Sequence, residues 1–160
     1  MARRLKKLNK NSDLRPTSSK VKLALFNILY DIYDTRFLDL FAGTGAIGFE
    51  ALKRGAKEVV FVEKNRKRAS DIKKTVSKLF SNFKVYSEDS LRFLKNNEEK
   101  FDIIFADPPY NYKDYDKLIE LSLKNLENNG IFILEHRFDK DFKGDRKERY
   151  GDTVLTFFYK

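Results

Sequence analysis

Short apolar runs alternate with segments of helical spacing along most of the chain. The apolar runs are typical of buried strands, and the stretches between them repeat apolar side chains every three or four positions, as helices packed on one face do. The predicted strands are 38–41, 58–62, 83–86, 101–106 and 131–134, and the predicted helices are 21–29, 46–52, 65–80, one that begins at 91, and 115–126. Strands that alternate with helices favour a mostly parallel α/β sheet.

The pattern changes at both ends of the chain. Segments 146–150 and 153–159 flank Gly151-Asp152, residue types that favour a tight turn, so a terminal hairpin is predicted. Thr17 or Ser18 is expected to cap the first helix, and Asn128-Asn129-Gly130 to end the last one with a left-handed residue. Residues 1–13 hold too few apolar positions to build a core. They are predicted to form a basic arm ahead of a single domain, 14–160.

The strand at 38–41 leads into a glycine-rich turn, Gly43-Thr-Gly45-Ala-Ile-Gly48. Gly43 and Gly45 lack a Cβ, so the backbone can bend sharply and approach a ligand, while Gly48 allows the next helix to pack close to the sheet. Glu63 follows the next strand, twenty positions after Gly43, where a carboxylate can accept hydrogen bonds from ribose hydroxyls. The turn and Glu63 together predict one nucleoside-binding site.

Asp39, close before this turn, indicates which ligand binds. Its negative charge suits a cation better than a phosphate, and S-adenosylmethionine combines an adenosine with an ammonium and a sulfonium. Asp39 can equally brace the loop or cap a helix, because aspartate is common beside turns. Asp89 lies at a strand-to-helix junction and can accept a hydrogen bond from an adenine amino group. An ordinary helix cap is the alternative for Asp89.

The more specific motif is Asp107-Pro108-Pro109-Tyr110, directly after the buried strand 101–106. Two prolines stop strand hydrogen bonding and stiffen the turn, which fixes the directions of the Asp107 carboxylate and the Pro108 carbonyl. Two such acceptors suit the exocyclic amino group of a base and would orient its nitrogen for methylation. Tyr110 offers a face on which an extruded base can stack. A purely structural turn is the alternative.

Composition narrows the function further. The 160 residues include no cysteine and a single histidine, His136, so neither a disulfide framework nor a zinc site is expected. No signal peptide and no apolar run of ~18 to 20 residues is recognisable, so we expect a cytoplasmic protein without membrane contact. The formal net charge is +9, and residues 1–22 hold eight basic side chains against one acidic. Such a basic segment indicates nucleic-acid binding, with a merely solvated tail as the alternative.

With these motifs in order, the chain resembles the bacterial 16S ribosomal RNA guanine-N2 methyltransferases of the small-subunit type, in the S-adenosylmethionine-dependent Rossmann-like superfamily. The matching segments cover nearly the whole chain and are Leu14-Arg-Pro-Thr17, Ala24-Leu-Phe-Asn27, residues 38–48, Glu63, residues 107–110 and Tyr150-Gly-Asp-Thr153. The resemblance implies a seven-stranded sheet in the order 3-2-1-4-5-7-6 with strand 7 antiparallel. It also implies methylation of guanine N2, of the guanine-966 type, in a small-subunit precursor. We expect a monomer that holds no metal.

The predicted site residues follow from the motifs and the resemblance together. Those for the donor are Asp39, Phe41, Gly43, Gly45, Glu63, Lys64, Asp89, Ser90 and Asp107. Those for catalysis are Asp107, Pro108 and Tyr110, and those for RNA are Arg3, Arg4, Lys6, Lys7, Arg15 and Thr17. One departure affects the RNA set, because relatives open with a glycine-containing hairpin, whereas residues 1–13 contain no glycine.

Three other functions fit part of the pattern. A DNA adenine-N6 methyltransferase would use the same Asp-Pro-Pro-Tyr motif, but the chain has no room for the separate target-recognition region that such enzymes usually carry. A non-catalytic RNA-binding domain of the same fold would bind no donor. A nicotinamide-dependent oxidoreductase would explain the glycine pattern but neither residues 107–110 nor the basic arm.

Overall fold

The computed structural model describes residues 17–160. In chain order the helices are α1 (Ser19–Leu29), α2 (Ala46–Lys53), α3 (Arg66–Ser77), α4 (Ser90–Asn96) and α5 (Tyr115–Lys124). The strands are β1 (Arg36–Leu40), β2 (Glu58–Val62), β3 (Phe83–Tyr86), β4 (Phe101–Ala106), β5 (Leu126–Arg137), β6 (Arg146–Tyr150) and β7 (Thr153–Tyr159). Among these residues, no helix has the length and apolar composition that crossing a membrane requires.

The seven strands form one sheet in the order β3-β2-β1-β4-β5-β7-β6, which confirms the predicted topology. Strands β1 to β5 run parallel to one another, and β7 pairs antiparallel with both β5 and β6. Because the parallel strands point the same way, the loops that follow β1, β2, β3, β4 and β5 all leave from one edge of the sheet. This carboxyl edge is where ligands bind in open α/β sheets.

Two hydrophobic cores cover the two faces of the sheet. Alternate strand residues point to opposite faces, so Phe37 joins the core under α1, α2 and α3, whereas Leu38 joins the core under α4 and α5. Leu25 of α1 and Leu118 of α5 are fully buried on their respective sides. The central strands are therefore covered on both faces, which explains their continuous apolar sequences.

Capping side chains fix where three of the helices begin. The side chains of Ser18, Asn65 and Asp89 accept backbone hydrogen bonds from Val21, Arg68 and Arg92, respectively. Each cap satisfies one of the backbone N–H groups that the first helical turn leaves without a partner. Ser18 is thus the cap at which α1 begins.

Several predicted boundaries differ from those in the structure. Strand β1 ends at Leu40, and Phe41 has a φ of 53°, which takes it out of the strand and into the glycine turn. Helix α5 ends at Lys124, because the Asn125 side chain donates to the carbonyls of Leu121 and Leu94, at 2.8 and 3.2 Å, and ties the helix end to α4.

The residues after Asn125 belong to β5 and not to a helix cap. Asn129 has the expected left-handed conformation, with a φ of 68°, but it lies inside β5. There the pairing with β4 shifts, so that Phe101 pairs with Leu126 and Ile103 with Ile131. The left-handed residue therefore forms part of a bulge in a long strand.

Candidate active site

A cavity of about 580 Å³ opens at the carboxyl edge of the sheet, over the ends of β1, β2 and β4. Both predicted motifs contribute to it, the glycine turn after β1 and the double-proline corner after β4. Its lining residues are Thr17, Asp39, Phe41, Ala42, Gly43, Thr44, Ala46, Ile47, Glu63, Lys64, Asn65, Arg68, Asp89, Ser90, Phe105, Asp107, Pro108, Pro109, Asn111 and Tyr112. Two neighbouring strand ends therefore bring the two motifs to one side of the molecule.

Glu63 holds the glycine turn in place. One of its carboxylate oxygens accepts a hydrogen bond from the Gly43 N–H at 2.8 Å, and the other accepts one from the Asn65 N–H at 2.7 Å. Each oxygen has a second lone pair, so the carboxylate can still accept from a ligand. Glu63 thus stabilises the loop and, as a lining residue of the cavity, has carboxylate oxygens that can accept hydrogen bonds from a ligand.

Asp39 also stabilises the glycine turn and lines the cavity. Its side chain is 1% exposed and accepts a hydrogen bond from the Gly48 N–H at 3.0 Å, across the turn from β1 to α2. Burial raises the pKa of Asp39 well above its ordinary value; the Gly48 hydrogen bond lowers it, and the nearby Glu63 carboxylate raises it further. A positive charge in the cavity would favour the ionised form of this carboxyl group.

The two other glycines of the turn serve the packing of α2. Gly45 has a φ of 80°, and a Cβ at this position would lie 3.2 Å from Ile72, away from the cavity lining. Gly48 faces the rings and methyl groups of β2, where a Cβ would lie 2.7 Å from Phe61 Cζ. Of the predicted donor residues, Gly45 is the one outside the cavity lining.

The start of α4 forms another part of the cavity wall. Asp89 Oδ2 accepts the Arg92 N–H at 3.1 Å, so the helix-cap role expected as an alternative is present, and the residue also lines the cavity. Ser90 Oγ accepts the Phe41 N–H at 3.3 Å, which links α4 to the glycine turn. This bond gives Phe41 its place in the cavity wall.

The two tyrosines that follow the double-proline corner have different surroundings. Asp107, Pro108 and Pro109 line the cavity, but Tyr110 is 63% exposed and lies outside its lining. Tyr112 lines the cavity instead, with its ring edge-on to Phe41 at a centroid distance of 5.2 Å. The sequence reasoning missed Tyr112, since its aromatic character alone does not distinguish it from Tyr110.

The Tyr112 hydroxyl is buried and finds no hydrogen-bond partner among the residues that the structure describes. Burial raises the pKa of this phenol, and the negative charges of Asp89 and Asp114 raise it further. The group is therefore a neutral donor at physiological pH.

Thr17 lines the cavity and contacts a residue that is distant in the sequence. Its hydroxyl donates to the Glu135 carboxylate at 3.1 Å, across 118 positions of sequence, and Glu135 is buried near the end of β5. Glu135 was also missed, because a single glutamate after a buried strand carries no distinctive signal. The other predicted RNA-binding residues, Arg3, Arg4, Lys6, Lys7 and Arg15, lie outside the described residues.

Comparisons with known proteins agree with this geometry. The sheet order and the shared cavity of glycine turn and double-proline corner define a Rossmann-like methyltransferase. The chain belongs to the family described as Conserved hypothetical protein 95, whose model matches residues 1–159.

Two named relatives and one similar crystal structure indicate that the chain is a methyltransferase. It is 39% identical over 146 residues to the Haemophilus influenzae protein named Ribosomal RNA small subunit methyltransferase D, covering 86% of this chain and 75% of that protein. It is 36% identical over 150 residues to the Bacillus subtilis protein named "Putative rRNA methyltransferase YlbH", covering 89% and 79%. A crystal structure from Haemophilus influenzae, described as a "putative methylase", superposes with a TM-score of 0.77 at 32% identity, covering 90% of each chain.

Proposed function

We propose that this methyltransferase uses S-adenosylmethionine to methylate the exocyclic N2 amine of a guanine in 16S ribosomal RNA. The observation that carries the proposal is the single cavity that contains both the glycine turn of Gly43 and the Asp107-Pro108 corner. A nucleoside-type donor site and a pair of fixed acceptors for an amino group are thereby adjacent. The names of the Haemophilus influenzae and Bacillus subtilis relatives support ribosomal RNA as the substrate.

The residues of the cavity fit S-adenosylmethionine. The buried carboxyl group of Asp39 suits a cationic ligand, and Glu63 keeps acceptor capacity for ribose hydroxyls. Phe41 and Tyr112 supply apolar surface. A volume of about 580 Å³ lies within the usual range of small-molecule sites. When bound, this compound supplies a methyl group attached to a positively charged sulfur.

Asp107 and Pro108 would act on the target amine. The Asp107 carboxylate and the Pro108 carbonyl accept its two N–H bonds, which turns the nitrogen lone pair toward the donor side of the cavity. Positioning then supplies much of the rate enhancement, and no strong base is needed, because the amine becomes acidic as it is methylated. Asp107 or a water molecule takes the proton late. Tyr110, exposed beside this corner, offers a ring on which the extruded base can stack.

Basic residues beside the glycine turn and in the basic arm support an RNA substrate. Lys64 and Arg68 lie in the cavity lining next to the glycine turn, and the chain carries a net charge of +9. Arg3, Arg4, Lys6, Lys7 and Arg15 are proposed to contact RNA phosphates, with Thr17 at the border of the target site. We further propose that the protein acts as a cytoplasmic monomer on a precursor of the small subunit.

A substrate panel tests the proposal. The protein is incubated with donor labelled in its methyl group and with naked 16S rRNA, small-subunit precursors or duplex DNA, and the methylated nucleoside is identified by chromatography. We expect N2-methylguanosine from the RNA substrates. Label in N6-methyladenosine of DNA alone would overturn the proposal in favour of a DNA enzyme. Absence of S-adenosylhomocysteine binding at millimolar ligand by calorimetry would indicate a non-catalytic domain.

A further inference from the structure

An exposed aromatic ring that contacts two guanidinium groups lies beyond the cavity, at the same carboxyl edge of the sheet. Phe138 is 44% exposed, and the guanidinium carbons of Arg137 and Arg149 lie over its ring, 5.7 and 4.5 Å from the centroid. Both distances are within the range of cation–π contacts. We call Arg137, Phe138 and Arg149 the arginine–phenylalanine platform.

Backbone hydrogen bonds hold the platform in a fixed position. The Phe138 N–H donates to the carbonyl of Asp152 at 3.0 Å, and Arg149 Nε donates to the carbonyl of Gly151 at 2.8 Å. The loop after β5 is thus joined to the β6–β7 turn. The backbone at the platform is thus held in place while the Phe138 ring remains exposed to solvent. Contact between this ring and another molecule therefore costs little conformational entropy.

The positive charge of the platform is only partly neutralised. Arg137 Nε lies 3.8 Å from an oxygen of Asp139, and both side chains are at least 40% exposed. Arg149 forms no ion pair with any residue between 17 and 160. An exposed ring beside available guanidinium groups matches the chemistry of a nucleotide, because the base can stack on the ring or on a guanidinium plane while the phosphate pairs with the charge.

The platform lies close to the place proposed for the target amine. Strand β5 is next to β4 in the sheet and ends at Arg137, and Glu135, which bonds to the cavity residue Thr17, is three residues before Phe138. At about 3.3 Å per residue, Phe138 is about 10 Å beyond Glu135. The platform therefore lies on the side of β4 away from the glycine turn, where RNA flanking an extruded guanine would continue.

We propose that the arginine–phenylalanine platform binds an unpaired nucleotide of the RNA next to the methylated guanine. This inference rests on the proposed function, since it assumes that the substrate is RNA. The platform positions the substrate and takes no part in the chemical step. Its loss affects the concentration of RNA required and leaves donor binding unchanged.

A tryptophan reporter tests the contact directly. The chain contains no tryptophan, so Phe138→Trp places a single indole at the platform. Leu79→Trp is the control, because Leu79 is 69% exposed and lies just after α3, near the other lateral side of the sheet. We expect 16S rRNA transcript to quench the indole fluorescence of the Phe138→Trp variant in a saturable way and to leave that of the Leu79→Trp variant unchanged. Equal responses of the two variants, or no quenching of either, would overturn the inference.

Steady-state kinetics supply the second test. We expect Phe138→Ala to raise the KM for RNA about 5- to 100-fold, the loss of one stacked base, with kcat at saturating RNA and the Kd of S-adenosylhomocysteine unchanged. Phe138→Trp should retain the wild-type KM for RNA, because an indole can stack on a base as a phenyl ring does. If the ring had only a structural role, this substitution would not be expected to preserve the KM. A Phe138→Ala enzyme with the wild-type KM would contradict the proposal.

The two proposals fail in different ways. If the wild-type protein methylates 16S rRNA but Phe138→Ala behaves like it, the proposed function stands and the platform is wrong. If the wild-type protein methylates no RNA, the proposed function fails, and quenching of the Phe138→Trp variant by the transcript still decides whether the platform binds RNA.

Discussion

At the scale of single residues, three acidic groups of the cavity stabilise the fold and also line the candidate site. Asp39 and Glu63 accept backbone N–H groups of the glycine turn, and Asp89 caps α4, while all three line the cavity. The loop is therefore held in shape before a ligand arrives, and binding need not organise it. Substituting any of the three is expected to alter the loop as well as the ligand contacts, so these residues are poor tests of catalysis.

Asp107 provides a cleaner test of the chemistry. We expect Asp107→Ala to lower kcat for methyl transfer by about 100-fold or more, because one of the two acceptors that orient the amine is lost. Donor affinity, measured by calorimetry with S-adenosylhomocysteine, should remain within a few-fold of wild type.

The matched control for Asp107 is Asp116→Ala, which removes an exposed carboxylate from the first turn of α5. This variant should retain wild-type turnover. Near-normal turnover of Asp107→Ala as well would exclude the role assigned to the carboxylate.

The buried carboxyl group of Asp39 predicts a dependence of stability on pH. Its pKa is raised in the folded state, so the folded protein binds the proton more tightly than the unfolded chain does. The stabilising contribution of the protonated form is complete below about pH 4 and is lost as the pH rises through the raised pKa. We therefore expect the free energy of unfolding of wild type, relative to Asp39→Asn, to fall as the pH rises above about 4.

Urea unfolding of wild type and Asp39→Asn across this pH range checks the sign. His136, whose pKa is lowered by burial, titrates in both proteins and cancels in the difference. Parallel stability curves for the two proteins would show that Asp39 does not titrate with a raised pKa.

At the scale of elements, the position of the glycine turn depends on how closely α2 packs on β2. Gly48 makes this approach possible, since a Cβ there would lie 2.7 Å from Phe61 Cζ and 2.9 Å from Val59 Cγ1, besides a still closer contact with Phe61 Cε1. Phe61 and Val59 are fully buried and have little room to move. The same glycine donates its N–H to Asp39. A small residue in α2 thus connects the core to the cavity.

Gly48→Ala is expected to destabilise the protein by about 1 to 3 kcal/mol, the usual cost of overpacking a core, although alanine favours helices by up to about 1 kcal/mol. Thermal or urea unfolding measures the difference. Ser70→Ala, on the exposed face of α3, is the control and should change stability by less than about 0.5 kcal/mol. A Gly48→Ala protein as stable as wild type would mean that α2 can move away from β2 without cost.

At the scale of the whole molecule, the charge distribution bears on the proposed binding of RNA. The net charge of +9 is concentrated in the first 22 residues, which carry eight of the 33 basic side chains and only one of the 24 acidic ones. Because Thr17, within this segment, lines the cavity, the basic segment leads directly to the candidate active site. If RNA binds this segment as proposed, it is brought near the double-proline corner.

Replacing Arg3, Arg4, Lys6 and Lys7 together with glutamine should weaken RNA binding and flatten its salt dependence. If all four contact phosphates, the slope of log K against log salt should decrease in magnitude by about 3. Filter binding at several salt concentrations measures this slope.

The control for the arm variant replaces four exposed lysines toward the opposite edge of the sheet, Lys57, Lys73, Lys74 and Lys78, which gives the same change in net charge. This control should retain most of the wild-type slope. An unchanged slope in the arm variant would identify the arm as a solvated tail.

The order of strands and helices, the two motifs and the terminal hairpin could be predicted from the sequence alone. Periodicity reports which face of each element is buried, and glycine and proline report backbone conformations that few other residues adopt, so Gly43 and the Pro108-Pro109 pair could be interpreted locally. The sheet order came from resemblance to a known family, and the structure confirms it.

Which side chains face the cavity depends on the three-dimensional packing of the whole chain. Tyr110 and Tyr112 are two residues apart and of one type, yet one is exposed and the other lines the cavity, because the backbone path of a few loop residues sets their directions. The Thr17–Glu135 contact spans 118 positions, and the arginine–phenylalanine platform joins the loop after β5 to the β6–β7 turn. Such pairings depend on the packing of the whole sheet, which no local pattern records.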